Sequence, residues 1–331
     1  AKLIAELAKK KIDGLVVDLR GNGGGSLTEA SDLSGLFIDQ GPVVQVRDAQ
    51  GRISIEGDDQ DGAVWDGPLA VLINRESASA SEIFAAALQD YGRALIIGET
   101  SFGKGTVQNL IDLDQMAQND SEKFGQLKLT VAQFFRVNGG STQHRGVVPD
   151  IAFAQTAWSA DDFGESSLDF ALPYSEVQAA EFRRSGDLSA LTPLLATRHE
   201  ARVAKDPEFK WWFDDLAEYA HQRERKDVSL LESARRSERD QNEKKRAERK
   251  AARIAAGVDS ADTTHEGGDD GLLADERRDA AAAKDEKAEK PDFLLRESAH
   301  ILADAIELLH TDQRLAARVK SFDLHDTVRV D

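Results

Sequence analysis

The chain has 331 residues and no cysteine, with 60 acidic against 42 basic residues and a net charge of −18. That balance excludes a general nucleic-acid binder, which needs basic surface to displace counterions. The lack of cysteine excludes a disulfide scaffold and a thiolate metal site. No apolar run approaches the ~20 residues of a membrane-spanning helix.

Ala1 to Lys11 has the composition of a helix. Gly14-Leu15-Val16-Val17-Asp18-Leu19, an apolar run bounded by glycine, predicts a buried strand. A glycine cluster follows, then a helix over Leu27 to Phe37. Pro42 to Val46 reads as a strand, and Leu69 to Ile73 as a buried one. Ser81 to Tyr91 predicts a helix stopped by Gly92, and Ala94 to Ile97 another buried strand. The alternation from Leu127 to Phe135 predicts a half-buried strand. Strands alternating with helices over residues 1–155 give a layered α/β domain. Residues 156–331, rich in Ala, Glu, Arg, Lys and Leu, predict a mainly α-helical carboxy-terminal domain. It holds an amphipathic stretch with Trp211 and Trp212, a densely charged helix from Arg235 to Arg253, and an amphipathic pair over Leu294 to Val319. Residues 257–271, acidic and poor in apolar side chains, are expected to be a flexible linker.

Gly21-Asn22-Gly23-Gly24-Gly25 sits between a strand and a helix, as a dinucleotide-binding loop would. Ser26, however, stands where that fingerprint needs its last glycine. Glycine here instead permits a tight turn and a close approach of backbone N–H groups to a substrate, as in an oxyanion hole. Gly98 to Lys104 matches the first seven positions of a phosphate-binding loop, but Gly105 replaces the Ser or Thr that would hold Mg²⁺. Both departures disfavour a nucleotide-binding enzyme.

Ser77-Ala78-Ser79-Ala80-Ser81-Glu82 contains a capping box, Ser79 to Glu82, at the head of a helix. A helix start offers N–H donors and a partial positive charge to an oxyanion, and the small residues leave room for a peptide carbonyl. A glycine-flanked lysine, Lys104, follows, and no histidine lies between or close to the two segments in sequence. A Ser-Lys hydrolase needs this combination, in which a neutral lysine amine does the work usually given to histidine. The residues alone do not choose among Ser77, Ser79 and Ser81. If Ser79 is the nucleophile, the N–H of Ala80 is the natural oxyanion donor. Lys104 must then lose its proton below the ~10.4 of a free lysine, through burial or nearby positive charge, with Phe102 and Ile97 helping to desolvate it.

Four blocks in order resemble the carboxy-terminal processing peptidases, the tail-specific proteases, across residues 14–151. They are Leu-Arg-Gly-Asn-Gly-Gly-Gly at 19–25, Ser-Ala-Ser-Ala-Ser-Glu-Ile at 77–83, Phe-Gly-Lys-Gly-Thr-Val-Gln at 102–108 and Gly-Val-Val-Pro-Asp-Ile at 146–151. Gly164-Glu165-Ser166 and Ala171-Leu172-Pro173 resemble the longer Gram-negative form. The resemblance implies a layered core of the ClpP/crotonase-like type, with Ser79 as nucleophile and Lys104 as general base. It implies Gln108 as the residue orienting that lysine, Asp90 as a supporting carboxylate, and the N–H groups of Ala80 and of Gly23 or Gly24 as the oxyanion hole. Gln108, four residues after Lys104, is expected on the same side of a helix or strand.

No metal or cofactor is implied. The expected partners are protein or peptide substrates with apolar carboxy-termini and a lipoprotein-type adaptor, in the periplasm. Peripheral contact with the inner membrane is also implied, and the basic excess at 235–253 would favour anionic headgroups. The family carries a PDZ-like domain ahead of its core, which takes the substrate tail by strand addition. This chain opens at Ala1-Lys2-Leu3 without an initiator methionine. It is expected to be the carboxy-terminal part of such an enzyme, without that domain and the early core strands. The competing expectation is a non-catalytic fragment or interaction module whose charged helical tail binds a partner.

Overall fold

In the computed structural model, residues 1–117, 123–153, 163–224, 227, 229–256 and 292–319 are described. The expected linker at 257–271 lies outside them. The contacts divide the chain into two units, one of Ala1–Ala217 with the described residues from Glu297 onward, the other Glu218–Arg296.

In the first unit, three apolar runs pair side by side as parallel strands. β1 (Leu15–Asp18), β4 (Leu69–Ile73), β5 (Leu95–Gly98) and the short β8 (Ile151–Ala152) form a sheet in the order β1-β4-β5-β8. Parallel neighbours need crossovers, and α2 (Leu27–Gly35) and α3 (Ala80–Asp90) lie in those connections. β4 and β5 are buried throughout, as predicted. β1 is only half-buried, contrary to the prediction, because it is the edge of this sheet.

The second sheet is antiparallel, β3-β2-β7-β6, built from β2 (Gly41–Asp48), β3 (Ile53–Asp58), β6 (Thr106–Asp112) and β7 (Gln126–Phe135). β7 is graded rather than alternating, from exposed Gln126 to buried Phe135. Only its last residues, Ala132 to Phe135, pair with β2, while its first half pairs with β6 alone. β3 and β6 are edge strands with polar residues between their apolar ones, so neither shows the apolar run that marks β4 and β5.

α3 packs against α2 and is buried from Ala80 to Leu88. Its alanines suit a helix and allow close approach on every side. Phe84 meets Phe37 edge to face at 5.7 Å. Burying side chains such as Phe84 and Leu88 contributes about 1.5–3 kcal/mol each, which makes α3 a firm base for the residues at its head.

The helices α1 (Lys2–Ala8) and α4 (Leu113–Ala117) are peripheral and short. After β8 the described residues up to Leu191 are irregular apart from 3₁₀ turns at Glu165–Ser167 and Leu188–Ala190, and helices follow: α5 (Thr192–Val203), α6 (Pro207–Glu224), α7 (Glu232–Ala255), α8 (Phe293–Thr311) and α9 (Gln313–Val319). α8 buries Ile301, Leu302, Ala305 and Leu309, a helical stripe. It is tied to α5 by His199–Glu297 and Arg202–Glu297, both at 2.8 Å. α7, in the second unit, buries none of its residues and carries i,i+4 pairs such as Arg236–Glu232 at 2.7 Å. Among the described residues no helix is long and apolar enough to cross a membrane.

Candidate active site

Loops leaving the carboxyl ends of β1, β4 and β5 meet. The strands are in parallel register, Asp18 opposite Leu72 and Ile73 opposite Gly98, so the segments that follow emerge at one end of the sheet. In open α/β sheets this is the end where ligands bind.

The serine turn is stitched to the glycine loop. Ser77, wholly buried, donates from Oγ to the Leu19 carbonyl at 2.8 Å and accepts from the Asn74 N–H at 3.0 Å. Ser81 Oγ donates to the Asn22 carbonyl at 3.0 Å, and the Ala78 N–H reaches the same oxygen at 3.0 Å. Two of the three serines are thus fasteners. Ser79 is half-buried and stands at φ 58°, ψ −114°, a left-handed setting that costs a non-glycine residue energy. It is the serine that the fold holds out at the head of α3.

Gly24 lies against this turn at φ +91°. A Cβ there would come within 2.5 Å of the Ala78 carbonyl oxygen and 2.7 Å of the Ala80 nitrogen. Its own N–H is engaged, donating to Asn22 Oδ1 at 2.9 Å. Ala80, the first residue of α3, has no intrahelical acceptor for its N–H. No hydrogen bond from Ala80 or Gly23 N–H is made to another described residue. Beside Ala80 and Gly24 opens a cleft of about 270 Å³, floored by Leu19, Ala30, Leu33 and Phe84.

Glu82 joins the serine turn to the lysine loop. Its Oε2 accepts from the Ser79 N–H at 2.8 Å and from the Lys104 N–H at 2.9 Å. The two backbone nitrogens therefore stand within about 6 Å of each other. Its Oε1 accepts from the Gly103 N–H at 2.8 Å and from Ser101 Oγ at 2.6 Å. Burial pushes this carboxyl up to about 7, while the four donors pull the other way. The capping-box reading of Ser79 and Glu82 accounts for only one of these four bonds. The signal in the sequence is a lone carboxylate in an otherwise apolar helix start, Ile83 to Leu88 following it directly.

Lys104 is half-buried, and that burial holds its proton affinity below the usual lysine value. Lys128 on β7 adds to the lowering, while Glu165 and Glu82 oppose it. Ser79 Oγ and Lys104 Nζ share no direct hydrogen bond in this structure, as is common before a substrate tightens a site.

Neither of the other two expected side chains hydrogen-bonds Ser79 or Lys104 among the described residues. Gln108 is exposed and makes one weak bond, Nε2 to Thr130 Oγ1 at 3.4 Å. The register of β6 against β7 shifts between Val107 and Gln108. The extra residue there is Val131 on β7; β6 begins only at Thr106, so Lys104 stands in the loop before it and strand alternation does not carry from Lys104 to Gln108. Asp90 ends α3, ~15 Å along the helix from its head. There it pairs with Arg136 at 2.6 Å and accepts from Asn138 Nδ2 at 2.8 Å. Its side chain is 5% exposed, so it is a buried tether between α3 and the segment after β7.

Comparison with known proteins matches residues 1–153 to Peptidase family S41 and residues 158–307 to the C-terminal domain of tail specific protease. Residues 1–153 belong to peptidase family S41. A relative, the Tail-specific protease of Haemophilus influenzae, is 40% identical over 322 residues, 95% of this chain and 43% of that protein. The Carboxy-terminal-processing protease of Bartonella bacilliformis is 41% identical over 152 residues, 46% of this chain and 33% of that protein. Among solved structures, a photosystem II D1 C-terminal processing protease aligns at 35% identity and a TM-score of 0.39, covering 48% of this chain and 39% of that one. The chain thus spans less than half the length of these S41 relatives. Together with the α/β sheets and the helices that follow them, the two matched regions give an S41 peptidase fold with a helical carboxy-terminal domain.

Proposed function

We propose that the chain carries the catalytic centre of a serine endopeptidase working through Ser79 and Lys104. One observation carries this reading: a single buried oxygen, Glu82 Oε2, accepts from the backbone of both residues and so gathers them into one site. Neutral Lys104 takes the proton from Ser79 Oγ as that oxygen bonds to the scissile carbonyl carbon. The carbonyl oxygen becomes an oxyanion facing the N–H groups of Ala80 and Gly23, at the positive end of α3. The intermediate collapses, the C–N bond breaks, and protonated Lys104 gives its proton to the leaving amine. Water, activated by the same lysine, then releases the acyl group and restores Ser79.

The cleft over Leu19, Ala30, Leu33 and Phe84 suits an apolar side chain beside the scissile bond. Similarity to the Tail-specific protease of Haemophilus influenzae supports protein substrates recognised by their tails; apolar carboxy-termini, and unfolded or tail-marked proteins of the cell envelope as the substrates, are part of the proposal. The periplasmic location, the inner-membrane contact and a lipoprotein adaptor belong to the same proposal.

The test is cleavage of an unfolded reporter with an apolar tail. It compares a longer form, extended at its amino terminus, with its Ser79→Ala and Lys104→Ala variants and with the 331-residue chain. Cleavage lost in both variants, with their thermal transitions kept, is the expected result. Unchanged cleavage by both would overturn the assignment. Cleavage by the longer form alone would make the 331-residue chain an incomplete protease.

A further inference from the structure

The loop that carries Lys104 is held from a side that the serine chemistry does not use. Gly105 donates its N–H to Gln143 Oε1 at 2.7 Å, and Lys104 accepts at its carbonyl from Thr142 Oγ1 at 3.2 Å. Gln143 is 1% exposed. Its Nε2 donates to Glu165 Oε1 at 3.1 Å and to the Leu172 carbonyl at 2.7 Å. Both of those are acceptors only, so they fix which end of the carboxamide is nitrogen and leave the oxygen to face Gly105. Glu165 is itself buried, and its N–H donates to the Phe102 carbonyl at 3.1 Å. Around it, Arg75 bridges the Phe163 and Ser101 carbonyls at 2.9 and 3.3 Å, and Phe163 packs edge to face on Phe102 at 5.6 Å. The segment from Phe163 to Leu172 is thus tied to the lysine loop near both of its ends. It belongs to the second matched region, not to the peptidase match that ends at residue 153.

We propose that Glu165 is a positioning residue for Lys104, acting through Gln143, so that the start of the carboxy-terminal region completes the base of the Ser-Lys pair. The inference rests on the function proposed above. Glu165 has two separable effects. It orients the Gln143 carboxamide that holds Gly105, and its charge favours the protonated form of Lys104. The charged groups acting on Lys104 are Lys128 from β7, Glu82 from α3 and Glu165 from the turn after Gly164. Removing a neighbouring negative charge lowers a lysine's proton affinity, and removing a positive one raises it.

The experiment is the pH profile of kcat/KM for a fluorogenic peptide with an apolar tail, measured on the longer form and blanked against Ser79→Ala. Glu165→Gln keeps an acceptor for Gln143 and removes the charge. Its ascending limb should move to lower pH by roughly half a unit or more. Glu165→Asp keeps the charge and loses the reach. Its limb should stay in place while its plateau falls about tenfold or more, the size of effect expected from a misplaced base. Lys128→Gln should move the limb upward. A limb unmoved in Glu165→Gln, or a Glu165→Asp plateau equal to that of the wild type, overturns the proposal. Should Glu165→Gln not fold, the Glu165→Asp plateau decides alone. Cleavage that persists in the Ser79→Ala blank would instead overturn the serine reading beneath it.

Discussion

Replacing Glu82 is the sharpest test of how this site is held. Leucine at 82 fills a similar volume and removes every acceptor. Three backbone N–H groups, of Ser79, Gly103 and Lys104, would then lose their partner, together with the Ser101 hydroxyl. Each buried N–H left unsatisfied costs about 1–3 kcal/mol, so the three N–H groups alone should make Glu82→Leu lose about 3–9 kcal/mol. That is a large share of the about 5–15 kcal/mol that stabilises a typical domain. Glutamine is gentler. Its carbonyl oxygen can keep Ser79 and Lys104, and its NH₂ then faces Ser101 Oγ, which can accept, and the Gly103 N–H, which cannot. One stranded donor predicts a loss of about 1–3 kcal/mol.

Urea denaturation of wild type and both variants measures this directly, and its pH dependence adds a second reading. The Glu82 carboxyl is raised in the folded state from 4.5 to about 7. The folded protein therefore binds the proton more tightly than the unfolded chain. Its contribution to stability is present below pH 4.5 and is lost as pH rises through about 7. Glu82→Gln should lack this slope. A Glu82→Leu protein within about 1 kcal/mol of wild type would refute the reasoning, since three buried donors cannot all be stranded at so small a cost.

Asp90→Ala should cost about 3–5 kcal/mol in denaturation, because it leaves Arg136 without its buried partner. Activity should fall only with the folded fraction, and a fully folded but inactive variant would return Asp90 to the chemistry. Gly24→Ala should lower the thermal transition by at least about 4 °C, since its Cβ meets Ala78 and Ala80 backbone. Gly23→Ala, with nothing within 4 Å of its Cβ, should melt close to wild type. Because burial lowers the proton affinity of Lys104, kcat/KM should rise with pH and reach half its plateau below the ordinary lysine value. A limb centred at or above that value would contradict a neutral lysine base.

The legible parts of the sequence were those where one kind of residue dominates. Leu69 to Ile73 and Ala94 to Ile97 read as buried strands because a strand covered on both faces needs no polar residue. The same rule overstated β1, since an edge position cannot be read from the strand's own residues. β6 and β3 escaped because their apolar residues are spaced among polar ones at sheet edges. Among Ser77, Ser79 and Ser81 the choice was invisible locally. It depends on the Leu19 and Asn22 carbonyls, about 55–60 residues earlier, which engage two of the three hydroxyls. Gln108 and Asp90 entered through the family resemblance, Gln108 also by its interval of four from Lys104; that interval crosses from a loop into β6, and Arg136 ties Asp90 at the far end of α3.

The resemblance of Gly98 to Lys104 to a phosphate-binding loop has a different physical origin. Gly98 ends β5 opposite Ile73, at φ +118°. A Cβ on it would lie 2.1 Å from the Ile73 carbonyl oxygen. That carbonyl accepts the Glu99 N–H at 3.0 Å, the last bond of the β4–β5 ladder before the chain leads on to Ser101 and Lys104. Gly98 is therefore required by the junction of β4 and β5, from which the serine turn and the lysine loop both depart, and no phosphate is needed to explain it. Gly98→Ala should push the two strand ends apart and uncouple Ser79 from Lys104. Fluorescence-monitored unfolding would show a loss at least as large as that of Gly24→Ala, since the added Cβ meets backbone more closely, while peptide cleavage by the folded fraction would fall about a hundredfold, the scale set by a misplacement of ~1 Å. Full cleavage in Gly98→Ala would mean that the β4–β5 register does not set the spacing of the pair.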